Sequence, residues 1–240
     1  QAIAPHSDRP GTKINITQPG YNEAKLLERI DVWLNQNLAP MGELDPATAS
    51  LHAVTNIDYD EKGRRLRIDY NESNHPIVTT YRYDKETFRL IRKISIRPNH
   101  PEPNKRRVQD LTYTYDPTGN IIHIADAAQP RIYFANDCVD ASNEYRYDAL
   151  YRLVAATGRE HKGRDLQPDW DDGQRMGNLV PFNCSELRRY VETYRYDAVG
   201  NVVQMVHHLG SDLDKQGKVV WNRRYQYPID NNRLRCTSNY

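Results

Sequence analysis

Five times along this chain a strand-forming Tyr or Ile, one spacer and a second Tyr run directly into Asp and a turn. The copies are Ile57-Asp58-Tyr59-Asp60, Tyr81-Arg82-Tyr83-Asp84, Tyr113-Thr114-Tyr115-Asp116, Tyr145-Arg146-Tyr147-Asp148 and Tyr194-Arg195-Tyr196-Asp197. Such recurrence restricts the fold to an array of one small unit. Residues two apart in a strand share a face, so each tyrosine pair lies side by side. The Asp accepts hydrogen bonds from the turn amides. A Gly shortly after it, as at Gly63, Gly119 and Gly200, supplies the positive φ that closes a short hairpin. The apolar runs Ile121-Ile122 and Val202-Val203 then read as return strands, so each copy predicts one β-hairpin.

Two copies lack the Gly. Asp84-Lys85-Glu86-Thr87-Phe88 and Asp148-Ala149-Leu150-Tyr151-Arg152 therefore predict turns of another type or length. Tyr225-Gln226-Tyr227-Pro228 reads as a degenerate sixth copy with Pro in place of Asp. The longest interval between copies holds Gly158 to Glu186. Its Pro168, Gly173, Gly177 and Pro181, with little periodicity, predict an inserted loop over about 158–186 within a repeat region of 56–240.

The segment ahead of the repeats differs. Residues 1–20, polar and dotted with Pro, read as an extended arm. In residues 21–55, Asn22 is placed to cap a helix, Glu23 follows in the first turn, and Leu26, Leu27, Ile30, Trp33 and Leu34 fall on one helical stripe. The expectation is an amphipathic α-helix of about three turns, packed on its own sheet to cover an edge, with partner docking as the alternative. Asp45-Pro46 predicts a second short helical turn.

Only 38% of the 240 residues are hydrophobic, with 17 Tyr against 3 Phe, which leaves no material for a thick aliphatic core. Tyrosine buries a large ring while its hydroxyl stays hydrated or hydrogen-bonded, which suits a sheet wetted on both faces. The formal charge of +1, from 33 basic and 32 acidic residues, does not favour nucleic acid or an anionic membrane. The basic runs Lys105-Arg106-Arg107 and Lys62 to Arg67 read as solvated, since acids lie near them. There is no apolar run long enough to predict a membrane span, and no charged-then-apolar leader. Cys138, Cys184 and Cys236 are odd in number and widely spaced, so buried or neutral free thiols are expected rather than a disulfide frame or zinc ribbon. That fits assembly in a reducing compartment.

Candidate chemistry is sparse. Glu160-His161 and His207-His208 offer acid, base or ligand groups, but adjacent strand residues point to opposite faces and neither dyad converges. Asp169-Trp170-Asp171-Asp172-Gly173 resembles the start of a calcium loop, yet its Gly falls one place early and the distal Glu is missing, so it reads as a solvated acidic loop. Neither a nucleophile elbow nor a phosphate-cradling Gly-rich loop occurs. The recurring Asp60, Asp84, Asp116, Asp148 and Asp197 read as turn caps rather than catalytic carboxylates. No catalytic residue, cofactor or metal is expected.

The pattern Tyr-x-Tyr-Asp-x-x-Gly-Asn/Arg, from about Asn56 to the C-terminus, resembles the YD-repeat or Rhs-repeat family: bacterial polymorphic toxins, the B and C components of insecticidal toxin complexes, and the teneurins. The stretches from Asp110 to Ile121 and from Tyr147 to His161 are most similar to the toxin-complex branch. The resemblance implies repeats that wind into a curved or spiralling antiparallel sheet and close as a hollow shell around a toxic polypeptide. By that resemblance the chain is a mainly β, non-enzymatic segment of shell wall with an N-terminal helical element. Its partners would be the rest of the shell, the enclosed toxin polypeptide and other toxin-complex subunits. The implied location is extracellular, after assembly in the bacterial cytoplasm. The family's Rhs core, with its Asp-Pro-rich self-cleavage motif, has no counterpart before Tyr240, so the chain reads as a fragment with self-cleavage and toxicity outside it. A binding module for carbohydrate or a cell surface is the alternative, motivated by Trp170 and Trp221 as rings that could stack on sugars.

Overall fold

The computed structural model describes all residues except 5–8, 10, 71–75, 135–136, 162–185, 216 and 240. The chain divides into two compact units, Gln1–Leu111 and Thr112–Tyr240. In the first, β1 (Ala2–Ile3), β2 (Ile14–Tyr21), β3 (Leu27–Gln36), β4 (Leu51–Tyr59), β5 (Arg65–Tyr70), β6 (Ile77–Tyr83) and β7 (Leu90–Ile96) are hydrogen-bonded in chain order, each antiparallel to the next. The strand β8 (Arg107–Tyr115) runs across the division.

The second unit contains β9 (Ile121–Asp126), β12 (Ser142–Tyr147), β13 (Leu153–His161), β14 (Leu187–Tyr196), β15 (Val202–Leu209), β16 (Val219–Gln226) and β17 (Cys236–Asn239), again neighbours in that order. The intervening β10 (Ile132–Phe134) and β11 (Asp137–Val139) pair only with each other, as a separate ribbon. A chain whose strands are joined mostly by tight turns can pair each strand only with its sequence neighbour, and the meander follows.

The expected helix in residues 21–55 is not present: Leu27–Gln36 is the strand β3. Its burial follows a two-residue period, with Asp31 and Trp33 buried. The same spacing of Leu27, Ile30, Trp33 and Leu34 fits a helical stripe on paper, but pairing with β2 and β4 overrides that local preference. Of the supposed arm, Ile14–Tyr21 is likewise a strand, with Ile14 and Ile16 buried. The Asp45-Pro46 reading survives in miniature as a single 3-10 turn, Pro46–Thr48, capped by the Asp45 side chain on the Ala47 N–H.

Cores are thin. In the first unit Ile14, Ile16 and Trp33 form one cluster against Leu44 and Ala49, and Val54, Ile57 and Ile68 form another, packed against Leu27, Ile30, Tyr59, Tyr70 and Tyr81. Trp33 also donates its indole N–H to Thr48 Oγ1 at 3.0 Å. Asp110 is fully buried, and Arg92 grips both of its oxygens, at 2.8 and 2.9 Å. In the second unit Val139, Ala155, Ala156 and Val191 are buried. Tyrosine rings therefore do much of the packing, each cross-strand pair contributing on the order of 0.2–1 kcal/mol. Cys138 and Cys236 are free thiols, as expected, and both are exposed rather than buried; Cys184 lies outside the described residues.

Candidate functional site

The Asp of each repeat organises the turn that follows it. Asp116 Oδ1 accepts from the N–H groups of Gly119 (2.7 Å) and Asn120 (2.8 Å), while Oδ2 accepts from the Asn120 side-chain amide at 2.8 Å. Asp197 Oδ1 accepts from the N–H groups of Val199 and Asn201, and Oδ2 from the Asn201 side-chain amide. At Asp60 and Asp148 an arginine replaces the Asn: Arg64 Nε donates to Asp60 Oδ2 at 2.6 Å, and Arg152 Nε to Asp148 Oδ2 at 2.7 Å. The Asn or Arg that ends the motif is thus a clamp on the motif's own carboxylate. Gly63, Gly119 and Gly200 hold the positive φ the turn requires.

These bonds favour the ionised carboxyls. For Asp116 the Asn120 amide is the largest cause, and for Asp148 the Arg152 backbone N–H; both are held below the usual carboxylate range. At Asp60 and Asp197 lost hydration pushes upward, and the turn hydrogen bonds outweigh it.

The two copies without Gly behave differently from one another. At Asp84 the turn is one residue longer, closing from the Asp84 N–H to the Arg89 carbonyl with Phe88 at φ 60°. At Asp148 the turn has the same length and bonding as the Gly-containing copies, with Tyr151 itself at φ 61°. The expectation of a changed turn therefore holds for Asp84 and fails for Asp148, where the carboxylate network forces a tyrosine into the left-handed region. Around Pro228 the connection from β16 to β17 lengthens, its first backbone bond running from the Arg235 N–H to the Gln226 carbonyl.

The second tyrosine of the motif reaches backward. Tyr59 donates its hydroxyl to the Leu27 carbonyl (2.6 Å) and Tyr83 to that of Arg65 (2.9 Å) in the first unit. In the second unit Tyr147 donates to Ile121 (2.9 Å) and Tyr196 to Leu153 (2.7 Å). Arg65, Ile121 and Leu153 each stand five residues after the Asp of the preceding copy, at 60, 116 and 148. Copy-to-copy spacing varies, yet the acceptor position does not. Arg64 and Arg152 add a second tie to the next copy, lying over the rings of Tyr83 (4.5 Å) and Tyr196 (4.9 Å). Within the motif the spacers Asp58, Arg82, Thr114, Arg146 and Arg195 are exposed, whereas Tyr81, Tyr113, Tyr145 and Tyr194 are half-buried, as alternation requires. Tyr115 is half-buried as well.

Leu27 is also five residues past Asn22, which exposes a copy hidden from sequence reading. Asn22 Oδ1 accepts from the Leu26 N–H at 2.9 Å, the Asn22 N–H bonds the Leu26 carbonyl, and Lys25 takes φ 59°. A register shift falls just before Tyr21, as it does before Tyr59, Tyr83, Tyr147 and Tyr196. Tyr21-Asn22 is therefore a repeat turn with Asn for Asp and Lys for Gly. Asn22, expected to cap a helix, caps this turn instead.

A second arrangement is aperiodic. His207 is buried on β15, with Nδ1 3.2 Å from Glu192 Oε1 and Nε2 3.2 Å from Glu160 Oε1. The latter contact pairs charges without the alignment of a good hydrogen bond. Its ring lies between Tyr190 (centroids 4.6 Å apart) and Trp221 (5.1 Å, nearly parallel). Arg188 grips Glu160 at 2.8 Å, and the Tyr194 hydroxyl donates to Glu192 at 2.7 Å. Burial opposes a charged imidazole, but Glu160 and Glu192 prevail and raise His207 to about 9. Burial likewise pushes Glu160 up, and His207 and Arg188 pull it below its ordinary value. Glu160 and His207 do converge, but across strands rather than within the two sequence dyads, where alternation separates neighbours. Gly158 admits the Tyr190 ring: a Cβ there would lie 2.4 Å from the ring's outer atoms.

Trp221 is thus engaged inside the sheet, while Trp170 and the acidic run 169–173 lie outside the described residues, as does most of the expected loop; Gly158 to His161 belong to β13. Among the described residues no group of three or more His, Cys, Asp or Glu is arranged to hold a metal ion, and no helix is long and apolar enough to cross a membrane, which says nothing of a β-barrel.

Serial antiparallel hairpins, closed at their turns by motif Asp residues, are the arrangement that resemblance to the YD-repeat family implies. No family model matches the sequence. It is 37% identical to the toxin subunit YenC2 of Yersinia entomophaga over 157 residues, and 35% identical to the toxin subunit YenC1 of the same organism over 154 residues. Those alignments cover 63% and 64% of this chain but 15% of each relative's length. Among solved structures it is similar to the Photorhabdus luminescens Tc holotoxin pore carrying the TccC3 mutation D651A (27% identity, TM-score 0.59, 92% of this chain and 9% of that one). It is also similar to TcdB2-TccC3 without the hypervariable C-terminal region (26%, TM-score 0.60, 93% and 9%).

Proposed function

We propose that this chain is a stretch of wall in a toxin-complex shell, built to enclose a polypeptide cargo and carrying no catalytic activity of its own. The observation that carries the reading is the backward tyrosine tie: a hydroxyl bonded to the carbonyl at a fixed place in the preceding hairpin joins repeats into a continuous sheet whatever lies between them. Similarity to toxin subunits supports the class of assembly. A wall must resist opening and expose few reactive groups. Each repeat carboxylate is committed to its own turn, and both His207 nitrogens face glutamates within the sheet. The partners in this reading are the remainder of the shell, its cargo and other toxin-complex subunits. The assembly forms in the bacterial cytoplasm and acts outside the cell.

Deleting the hairpin from Tyr113 to Ile124 in the longer protein should open the wall. Limited proteolysis is expected to digest a cargo that the intact protein protects. Continued protection after that deletion would overturn the reading.

A further inference from the structure

His207 stands on β15 but acts beyond its neighbouring strands. Strand β15 pairs with β14 and β16, whereas Glu160, 3.2 Å from His207 Nε2, belongs to β13, one strand further away. The turns at Asp148 and Asp197 close the hairpins β12–β13 and β14–β15, so the contact with Glu160 crosses a joint between two hairpins, while the contact of Nδ1 with Glu192 lies inside one. Trp221, stacked on the ring, belongs to β16. The imidazole is buried, so its charge is answered by the two glutamates rather than by solvent. The groups facing it are Glu160 from β13, Arg188, Tyr190, Glu192 and Tyr194 from β14, and Trp221 followed by Arg223 from β16. On its own strand the same face carries Met205 and Leu209, which do not titrate.

We propose that His207 is the pin of a base-released latch on that joint: without its proton the β14–β15 hairpin loosens from β13, while the turns and the bonds inside each hairpin hold. A neutral imidazole has one N–H. The better-aligned contact keeps it, so Nδ1 donates to Glu192 within the hairpin and Nε2 turns a lone pair toward Glu160. Attraction across the joint becomes repulsion, and Glu160 is left to Arg188 alone among the groups facing the ring. Burial works against the proton and Glu160 and Glu192 outweigh it, so the ring retains it up to about pH 9. Once released, it is an ordinary imidazole of pKa 6.5, so opening becomes easier as pH rises from 6.5 to 9 and levels off beyond. The surrounding restraints do not share this sensitivity. Asp116, Asp148 and Asp197 are held below the usual carboxylate range and stay ionised. Burial pushes the hydroxyls of Tyr147 and Tyr196 up, and those of Tyr190 and Tyr194 too, with Glu192 adding to the last two, so these groups keep their protons after His207 has lost its own.

The test follows amide hydrogen exchange by mass spectrometry in the longer protein at pH 7 and pH 9.5, with every peptide corrected for the base-catalysed rate of a free amide. The reference is the joint between β5 and β6, which has the same kind of tyrosine tie, from Tyr83 to Arg65, and no histidine in its strands. Peptides from β13 and β14 should lose protection by roughly fifty-fold between the two pH values, the most that the His207 proton can supply over that interval, and the reference should keep its protection. Equal loss at both joints would overturn the proposal, as would no loss at either. His207→Gln should leave the joint loose at both pH values and remove the step, and Glu160→Gln, which preserves volume, should shrink it. An undiminished step in either variant would assign the effect to another group. Should a variant fail to fold, the comparison of the two joints in the unaltered protein decides the matter by itself. Cargo plays no part in this readout, so the latch and the wall reading stand or fall separately.

Discussion

Asp148 and Glu192 are both carboxylates held by hydrogen bonds in the second unit, one at a turn on the surface and one inside the sheet. Asp148 binds its own backbone and the arginine four residues on, so its network is local and is rebuilt at every copy. Glu192 binds His207 and Tyr194, and through His207 it is linked to Glu160 and Arg188 on β13 and β14. Repetition makes each turn replaceable. The buried cluster occurs once, and a single missing partner strands a charge away from water.

That contrast ranks the consequences of mutation. Glu192→Ala should be the most damaging, because it leaves a buried imidazolium with half its counter-charge and removes the acceptor of the Tyr194 hydroxyl; a loss of about 3 kcal/mol in urea unfolding is expected. A loss no greater than that of a turn substitution would remove the distinction between the two regions.

The cluster should also impose a pH dependence. His207 has a folded pKa raised to about 9 from 6.5, so its contribution is complete below pH 6.5 and fades as pH rises through 9, by at most about 3 kcal/mol. His207→Gln should flatten stability over that window. The turn carboxylates act in the opposite sense: held low, they contribute fully above the ordinary carboxylate range and lose their effect as pH falls through their depressed values.

Smaller effects belong to the repeat itself. Tyr196→Phe removes one hydroxyl-to-carbonyl tie and should cost about 1 kcal/mol. At the left-handed turn position the two kinds of copy should respond with opposite sign. Tyr151→Gly relieves a strained backbone and should stabilise by roughly 1 kcal/mol, whereas Gly200→Ala, at φ 98°, should destabilise by a similar amount. Matching signs would mean that the two turns differ in more than that residue.

The parts of this structure that recur were legible in the sequence, because five copies average out local ambiguity. Hairpins, half-buried tyrosines and exposed spacers all follow from alternation and a turn-forming Asp. The copy at Tyr21-Asn22 was hidden since Asn22 and Lys25 replace the two most diagnostic residues, and a lone segment with Leu27, Ile30 and Trp33 also satisfies a helical period. Its partner strands decide the matter, and they are distant in sequence. The acceptor of each motif tyrosine is a backbone carbonyl, which has no side-chain signature. Glu160 and His207 each stand out in the sequence, but their convergence depends on the registers of β13, β14 and β15, which no local pattern encodes.

The central claim, that backward tyrosine ties weld separate hairpins into one cooperative sheet, is tested most directly by replacing Tyr59, Tyr83, Tyr147 and Tyr196 together with Phe and following urea unfolding. The account predicts a midpoint lowered in proportion to about 4 kcal/mol and a broadened or split transition as hairpins uncouple, with strand content in native buffer retained. An unchanged midpoint and a single sharp transition would contradict it.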